Sequence, residues 1–202
     1  MDVAVMRVVR LKGLVTPEAL AGAVGAPAAE VRAALEQLVG EGHVQERNGR
    51  YRVTRDGRDA LDGLLAQERE GVDETALEPL YEEFLVLNAE FKDIAHQWQI
   101  RDGEPNDHAD GSYDAVVLGR VEMLHERFAP LVERIVAITP PRVGEYRRRF
   151  DAALARVSAG EHDWLLKPLI DSYHTVWFEL HEDLIGLLGL SREREAAEGR
   201  AE

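Results

Sequence analysis

Four stretches of the sequence between residues 77 and 187 place apolar side chains at alternating spacings of three and four residues. The first two consist of Leu77, Leu80, Phe84, Leu87, Phe91, Ile94 and Trp98, and of Val117, Val121, Leu124, Phe128, Leu131, Ile135 and Ile138. The other two consist of Val143, Tyr146, Phe150, Leu154 and Val157, and of Leu166, Ile170, Tyr173, Trp177, Leu180, Leu184 and Leu187. Because this spacing gives a helix one apolar face, we expect residues 77–190 to form an all-α bundle of four amphipathic helices.

The first 40 residues contain the start and stop signals of three shorter helices. An apolar stretch from Val3 to Leu11 ends at Gly13, and Thr16-Pro17-Glu18 then supplies a capping hydroxyl, a proline and an acid in the first turn. Pro27 opens a third stretch, in which Val31, Leu35 and Leu38 keep helical spacing. The pattern predicts three helices separated by short breaks.

A hairpin and a fourth helix are expected next. Asn48-Gly49 favours a type I′ turn, so residues 43–53 predict a tight β-hairpin. Thr54 is placed to cap a helix that continues to about Glu70. We therefore expect a first domain over residues 1–70, a linker over 71–76, the helical domain over 77–190 and a charged tail over 191–202. The chain as a whole is expected to be mostly α.

The order of helix, helix-turn-helix, hairpin and helix is that of a winged helix, and the residues of this part resemble MarR-type transcriptional regulators. The residues that carry the resemblance are Leu20-Ala21, Val24-Gly25, Val31, Leu35, Leu38, Gly42, Val44 and the segment Val53-Thr54-Arg55-Asp56-Gly57-Arg58. They cover about a third of the chain. The resemblance implies a winged helix-turn-helix that binds double-stranded DNA, although winged helices also serve as protein-docking modules.

Six side chains are candidates for the contact with DNA. On the outward face of the third helix, only Arg32 and Gln37 could read a base edge. The hairpin is better supplied, because Arg47, Asn48, Arg50 and Arg52 lie where a wing meets phosphates or the minor groove. The alternative interpretation of the hairpin residues is a solvated turn.

The charge of the chain is unevenly distributed. The net charge is -14, but residues 1–66 contain nine acidic and nine basic residues, so the excess acid lies entirely in the remainder. The first part is thus neutral and lacks the strong basic field common in DNA-binding domains. Its contact with DNA would depend on a local basic feature such as the hairpin.

Composition narrows the remaining classes of protein. The chain has no cysteine, which excludes disulfides and thiolate zinc sites and leaves His, Asp and Glu as metal ligands. It has neither an apolar run of about 18 residues nor a leader pattern, so we expect a cytoplasmic protein without a membrane partner. No glycine-rich phosphate loop, Gly-x-Ser-x-Gly or His-Glu-x-x-His motif is present, which gives no case for hydrolase or kinase chemistry.

Three histidines follow a carboxylate by three residues, a spacing that puts both groups on one face of a helix. Asp93 and His96 point away from the apolar face and are expected to be solvated. The remaining polar residues flank the apolar faces of the second and fourth bundle helices: Glu122, His125, Asp171, His174 and His181. If those helices pair, the five side chains converge on one pocket for a small anionic ligand or a divalent metal, with the histidines and Asp171 as candidate ligands. The alternative is a hydrogen-bonded network without a ligand.

A helical domain with Asp and His ligands behind a winged helix is similar in architecture to the effector domains of the GntR class. The similarity implies a site for a metal and small carboxylates. The spacing of the candidate ligands in this chain does not match the pattern of that family closely. The similarity therefore does not decide whether this chain has a metal site.

The polar loop over residues 102–111 supplies further candidates for ligand binding. Asn106 and His108 lie in the loop, and Trp98 and Arg101 end the helix before it. Such a loop could cover a pocket, and Arg101 could pair with a ligand carboxylate. The alternative is a capped surface turn.

Taken together, these features predict a ligand-responsive transcription regulator that binds DNA as a homodimer and responds to a small-molecule effector. Two other classes remain open. One is a small metal-dependent helical-bundle enzyme, and the other is an adaptor whose winged helix docks a protein.

Overall fold

The computed structural model describes residues 2–191, and the chain in this range is mostly helical with a small antiparallel hairpin, as the sequence predicted. The charged tail expected at the end of the chain lies outside the described residues from residue 192 onward.

The N-terminal elements follow the predicted order. Thr16 and Thr54 act as predicted, because their hydroxyl oxygens accept the amide protons of Ala19 and Gly57 at the starts of two helices. The elements are α1 (Val3–Lys12), α2 (Pro17–Val24), α3 (Ala28–Gly40), β1 (Val44–Arg47), β2 (Arg50–Val53) and α4 (Arg55–Glu70).

The hairpin has the predicted type I′ geometry. Arg47 lies opposite Arg50 in the antiparallel register, so only Asn48 and Gly49 form the loop. Both have positive φ, 54° and 72°, as this turn requires. The tight turn fixes the register and therefore the positions of the arginines on either side of it.

The C-terminal elements begin inside the predicted linker, because Asp73 caps a helix that starts at Glu74. The elements are α5 (Glu74–Gln99), β3 (Ile100–Arg101), β4 (Glu104–Pro105), α6 (Gly111–Val136), a 3₁₀ turn (Pro141–Gly144), α7 (Glu145–Ser158), α8 (Asp163–Leu166) and α9 (Tyr173–Leu187). Part of the polar loop thus forms the small β3–β4 ribbon, which the sequence analysis did not predict.

The fourth predicted helix of the bundle is shorter than expected. Leu166 ends α8, and Ile170 and Asp171 lie outside any helix, because Pro168 cannot continue a helix and forces the residue before it into an extended conformation. A new helix begins only after Ser172, whose hydroxyl oxygen accepts the Thr175 amide proton. The prediction of a helical spacing between Asp171 and His174 was therefore wrong.

The buried apolar side chains form two clusters. The N-terminal cluster is built from α1 to α4 and the hairpin, with Met6, Leu20, Leu35 and Leu61 at its centre. The C-terminal cluster contains most of the residues on the four predicted apolar faces, including Phe84, Phe128, Phe150 and Trp177. No helix within residues 2–191 has the length and apolar character needed to span a bilayer.

Candidate functional site

The hairpin exposes the arginines predicted to contact DNA. Arg47, Asn48, Arg50 and Arg52 are all exposed. Within the part of the chain that the structure describes, neither Arg47 nor Arg50 forms an ion pair. Two guanidinium groups are therefore available to an external anion on this side of the N-terminal cluster.

The two candidate residues of α3 are exposed but have partners within the protein. Arg32 pairs with Glu18 of α2, and the Gln37 amide donates to Glu41 Oε1 over 2.8 Å. Exposed contacts of this kind contribute little to stability, so a nucleic acid could displace them at small cost. The candidate residues of α3 nonetheless already have partners within the protein, whereas Arg47 and Arg50 of the hairpin form no ion pair in the described part of the chain.

Two networks of buried and half-buried charges join α1 to the C-terminal helices, and the first is centred on Asp171. Lys12 Nζ lies 2.7 Å from Asp171 Oδ1 and 2.9 Å from Glu179 Oε1. Arg149 donates to both oxygens of Asp171 and, over 2.6 Å, to Glu179 Oε2. Burial alone would raise the pKa of Asp171, but Arg149 and Lys12 lower it below its ordinary value.

The second network is centred on Asp183 of α9. Arg7 donates to Asp183 Oδ1 over 2.8 Å, and the Tyr146 hydroxyl donates to Oδ2 over 2.6 Å. Arg142 lies 2.7 Å from the same carboxylate and also donates to Glu68 of α4. Burial opposes ionisation of Asp183, yet Arg7 and Arg142 lower its pKa below the ordinary value. The orientation of α1 relative to α9 is thus fixed by charge pairs that leave water on folding.

The sequence analysis missed these two networks. A signal was present, because Arg7 interrupts the apolar stretch of α1, and Glu179 and Asp183 interrupt the apolar residues of α9 at a spacing of four. Charged residues inside an apolar stretch are rarely buried unless they are paired. Their partners lie on other elements and could not be read from local spacing.

A groove of about 360 Å³ lies beside the first network, between α1, α2, β2 and the segment that leads into α9. We call it the α1–α9 groove. Its apolar lining includes Leu11, Leu14, Val15, Ala19, Leu169 and Phe178. Its polar lining includes Lys12, Thr16, Arg50, His174, Thr175 and Glu179. Arg50 of the hairpin is therefore also a residue of this groove.

The five residues expected to form one polar pocket have separate partners. Glu122 is exposed and accepts a hydrogen bond from Ser158. Asp171 belongs to the network with Lys12 and Arg149. His181 is buried, with Nε2 3.1 Å from the Tyr81 hydroxyl.

The other two histidines of this set have different neighbours. His125 Nε2 is 3.1 Å from Asp151 Oδ1, and its Nδ1 is 3.2 Å from the Tyr173 hydroxyl. Burial lowers the pKa of His125 below its ordinary value. His174 packs beside Phe91 and lines the α1–α9 groove. Of the five, only His174 lines this groove.

The polar loop folds onto the end of α5. Asn106 donates to Asp114 Oδ1 over 3.0 Å, and His108 Nδ1 is 3.0 Å from Asp114 Oδ2. The His108 ring packs on Trp98 with 4.4 Å between centroids. Arg101, expected to meet a ligand carboxylate, pairs instead with Asp110. The loop is held by its own contacts and, with Trp98, lines a separate open groove beside α8.

Metal binding has little support in the described residues. Between residues 2 and 191 no group of three or more acidic or histidine side chains is arranged to hold a metal ion.

Asp93 and His96 are exposed, as the sequence predicted.

Comparison of the chain with protein-family models, with curated proteins and with solved structures finds no match.

Proposed function

We propose that the chain is a ligand-responsive transcription regulator that binds double-stranded DNA through a MarR-type winged helix-turn-helix. The observation that carries this proposal is the exposed pair Arg47 and Arg50 on either side of a type I′ turn. A wing of this kind positions guanidinium groups against phosphates or the minor groove. The hairpin, more than α3, supplies the affinity for DNA.

The buried charge networks support a role for the C-terminal helices in the response. They fix α1 to α9 by hydrogen bonds of defined geometry, so a change in the C-terminal helices reaches the hairpin through α1. Residue Val15, just after α1, pairs by backbone hydrogen bonds with Tyr51 of β2. The C-terminal helices would then serve as the sensing and dimerisation part of a cytoplasmic regulator.

The α3 surface favours a second candidate, a protein-docking adaptor. Its outward face carries Glu30 and Glu36, and Glu41 follows it. Carboxylates on the helix that would enter the major groove are repelled by phosphates, whereas they suit a basic protein surface. The two functions differ in whether duplex DNA binds at all.

The test is DNA binding measured by fluorescence anisotropy, with duplexes selected from a random library and titrated at several salt concentrations. We expect a selected duplex to bind more tightly than a scrambled one. Replacing Arg47 and Arg50 by Ala should weaken binding and reduce the slope of log K against log salt by about two. Arg156→Ala, on the exposed side of α7, is the control and should leave the slope unchanged. Absence of binding by the unaltered protein would reject the proposal and leave the adaptor.

A further inference from the structure

The turn between α8 and α9, residues 168–171, exposes a leucine in a strained conformation. Leu169 is 87% exposed, the highest value among the large apolar side chains of the described residues, and its φ is 70°. A branched side chain seldom adopts this left-handed conformation, and an exposed leucine gains nothing from burial. Strain of this kind clusters at functional sites, so Leu169 is a candidate for contact with a partner.

The turn is fixed at both of its ends. Leu165 of α8 belongs to the C-terminal cluster and is fully buried. The ring of Pro168 restricts the φ of that residue. Asp171 accepts two hydrogen bonds from the buried Arg149. Leu169 thus projects from a well-anchored base, and a contact through it requires little further ordering of the backbone.

The exposed leucine lies beside the hairpin. Leu169 and Arg50 line the same α1–α9 groove, together with Thr16 and Ala19 at the start of α2. Arg50 flanks the type I′ turn and forms no ion pair within residues 2–191. An apolar side chain and an available guanidinium therefore border one groove. Proteins that bind the minor groove of DNA combine these two groups, because arginine follows the groove and an apolar side chain enters between base pairs.

The α3 surface leaves a need for another source of sequence specificity. Arg32 and Gln37 are engaged with Glu18 and Glu41, and Glu36 is an exposed carboxylate on the same helix. Few side chains of α3 can therefore bind base edges. A DNA sequence can also be recognised through the ease with which a base step unstacks, and TA and CA steps unstack readily.

We propose that Leu169 is a wedge that enters the minor groove next to the hairpin and partly unstacks one pyrimidine–purine step. This inference rests on the proposed function, because it requires that Arg47 and Arg50 place the hairpin on duplex DNA. Arg50 holds the backbone, and Leu169 separates two base pairs and bends the duplex toward the major groove. Selectivity then comes from the deformability of the step, and a TA or CA step is preferred over a stiff A-tract.

The test measures unstacking with 2-aminopurine, a fluorescent adenine analogue whose emission rises when it leaves the base stack. A duplex selected from a random library by the unaltered protein is prepared with 2-aminopurine in place of the adenine of each TA or CA step in turn. We expect the emission to rise at one such step in each half-site when the protein binds. Donor and acceptor dyes on the two ends should come closer at the same time, because insertion of a wedge bends DNA by about 20–90°.

Three variants separate the wedge from a structural role. Leu169→Asn removes the apolar side chain, and since asparagine tolerates the left-handed conformation, the protein should unfold at an unchanged or higher temperature. It should bind the selected duplex at least about fivefold more weakly, without the rise in emission. Leu169→Met retains an apolar wedge and should retain both the affinity and the emission. Leu190→Asn is the matched control, because Leu190 is also exposed, at 38%, but does not line the groove.

The salt dependence distinguishes a wedge from a phosphate contact. Leu169→Asn should leave the slope of log K against log salt unchanged, because the substitution removes no charge. Replacing Arg47 and Arg50 by Ala should reduce the same slope. The affinity of Leu169→Asn for a scrambled duplex should equal that of the unaltered protein, so the ratio of selected to scrambled affinity falls.

Each contrary result has its own meaning. DNA binding without a change in 2-aminopurine emission, or with the same change in Leu169→Asn, rejects the wedge and leaves the proposed function intact. Conversion of Leu169→Asn to a monomer, measured by light scattering against a dimeric unaltered protein, assigns Leu169 to a contact between copies and also rejects the wedge. If the unaltered protein binds no duplex, the proposed function itself fails, and the wedge fails with it.

Discussion

Arg7 and Asp183 lie 176 positions apart in the sequence and are joined by a 2.8 Å hydrogen bond from Arg7 Nε to Asp183 Oδ1. Both side chains are buried, and the pair connects α1 with α9. Tyr146 and Arg142 bind the same carboxylate. Asp183 is therefore the shared counter-charge of two arginines and the acceptor of the tyrosine hydroxyl.

Asp183→Asn should destabilise the protein strongly. The change leaves Arg7 and Arg142 without their common counter-charge, and loss of one partner from a buried pair costs about 3–5 kcal/mol. The control is Asp62→Asn, which removes the exposed partner of Arg10 and should cost less than about 1 kcal/mol. Urea unfolding followed by circular dichroism measures both. Similar losses in the two variants would show that the Asp183 network does not hold α1 to α9.

His125 should make the protein less stable in mild acid. Burial lowers the pKa of His125 below its ordinary value of 6.5, so the unfolded chain takes up the proton more readily than the folded one. The stability that comes from the neutral imidazole is fully present above pH 6.5. It is lost as the pH falls from 6.5 through the lowered pKa of His125.

The measurement is the free energy of unfolding from about pH 7 to about pH 5, the interval in which histidine ordinarily changes charge. We expect His125→Gln to lose less stability across this interval than the unaltered protein. His96→Gln, at an exposed position of α5, should follow the unaltered curve. A His125→Gln curve parallel to that of the unaltered protein would contradict the assignment.

Two glycines of α4 should respond in opposite ways to alanine. A Cβ at Gly57 would lie 1.9 Å from the His43 carbonyl oxygen, which accepts the Thr54 amide proton, so Gly57→Ala must displace the hairpin from α4. We expect a loss of about 2 kcal/mol or more. At Gly63 an added Cβ meets nothing within 4 Å, so Gly63→Ala should stabilise the helix by about 0.5–1 kcal/mol.

Thermal unfolding of the two variants shows directly whether each substitution stabilises or destabilises the protein. Equal changes would mean that the close approach of α4 to the hairpin is not maintained in solution. The DNA affinity of Gly57→Ala should also fall if the hairpin is the main contact, whereas that of Gly63→Ala should not.

The homodimer expected from the sequence should form through the outer face of α5 and α6. Val86, Val116 and Met123 are 71%, 67% and 57% exposed, and the ion pairs Glu83–Arg134 and Glu90–Arg127 join the same two helices. An exposed face with apolar side chains and alternating charges suits a symmetric contact between two copies.

Light scattering at micromolar concentration should give twice the chain mass of 22.6 kDa. Replacing Val116 and Met123 by Glu should yield monomers, while Val39→Glu on α3 should leave the dimer intact. A monomer in the unaltered protein, with and without DNA, contradicts this prediction.

The sequence determined the elements that depend on local chemistry. Helical spacing of apolar residues predicted the helices, Thr16 and Thr54 predicted where two of them begin, and Asn48-Gly49 predicted the turn of the hairpin. Each of these signals acts between residues only a few positions apart, so it can be read without knowledge of the rest of the fold. The exposure of Arg47, Asn48, Arg50 and Arg52 follows from the same local rule.

The tertiary structure decided the partners of the charged and polar groups. Asp171 was predicted to meet the histidines at helical spacing, but Pro168 ends the helix before it, and Lys12 and Arg149 bind its carboxylate. Arg50 was predicted only as a DNA contact, and the packing of the hairpin beside α9 also makes it part of a groove. Hydrogen bonds and ion pairs between distant elements depend on how helices pack, because a shift of a few ångströms exchanges one partner for another. For that reason the sequence determined which side chains were available, and only the fold determined which of them meet.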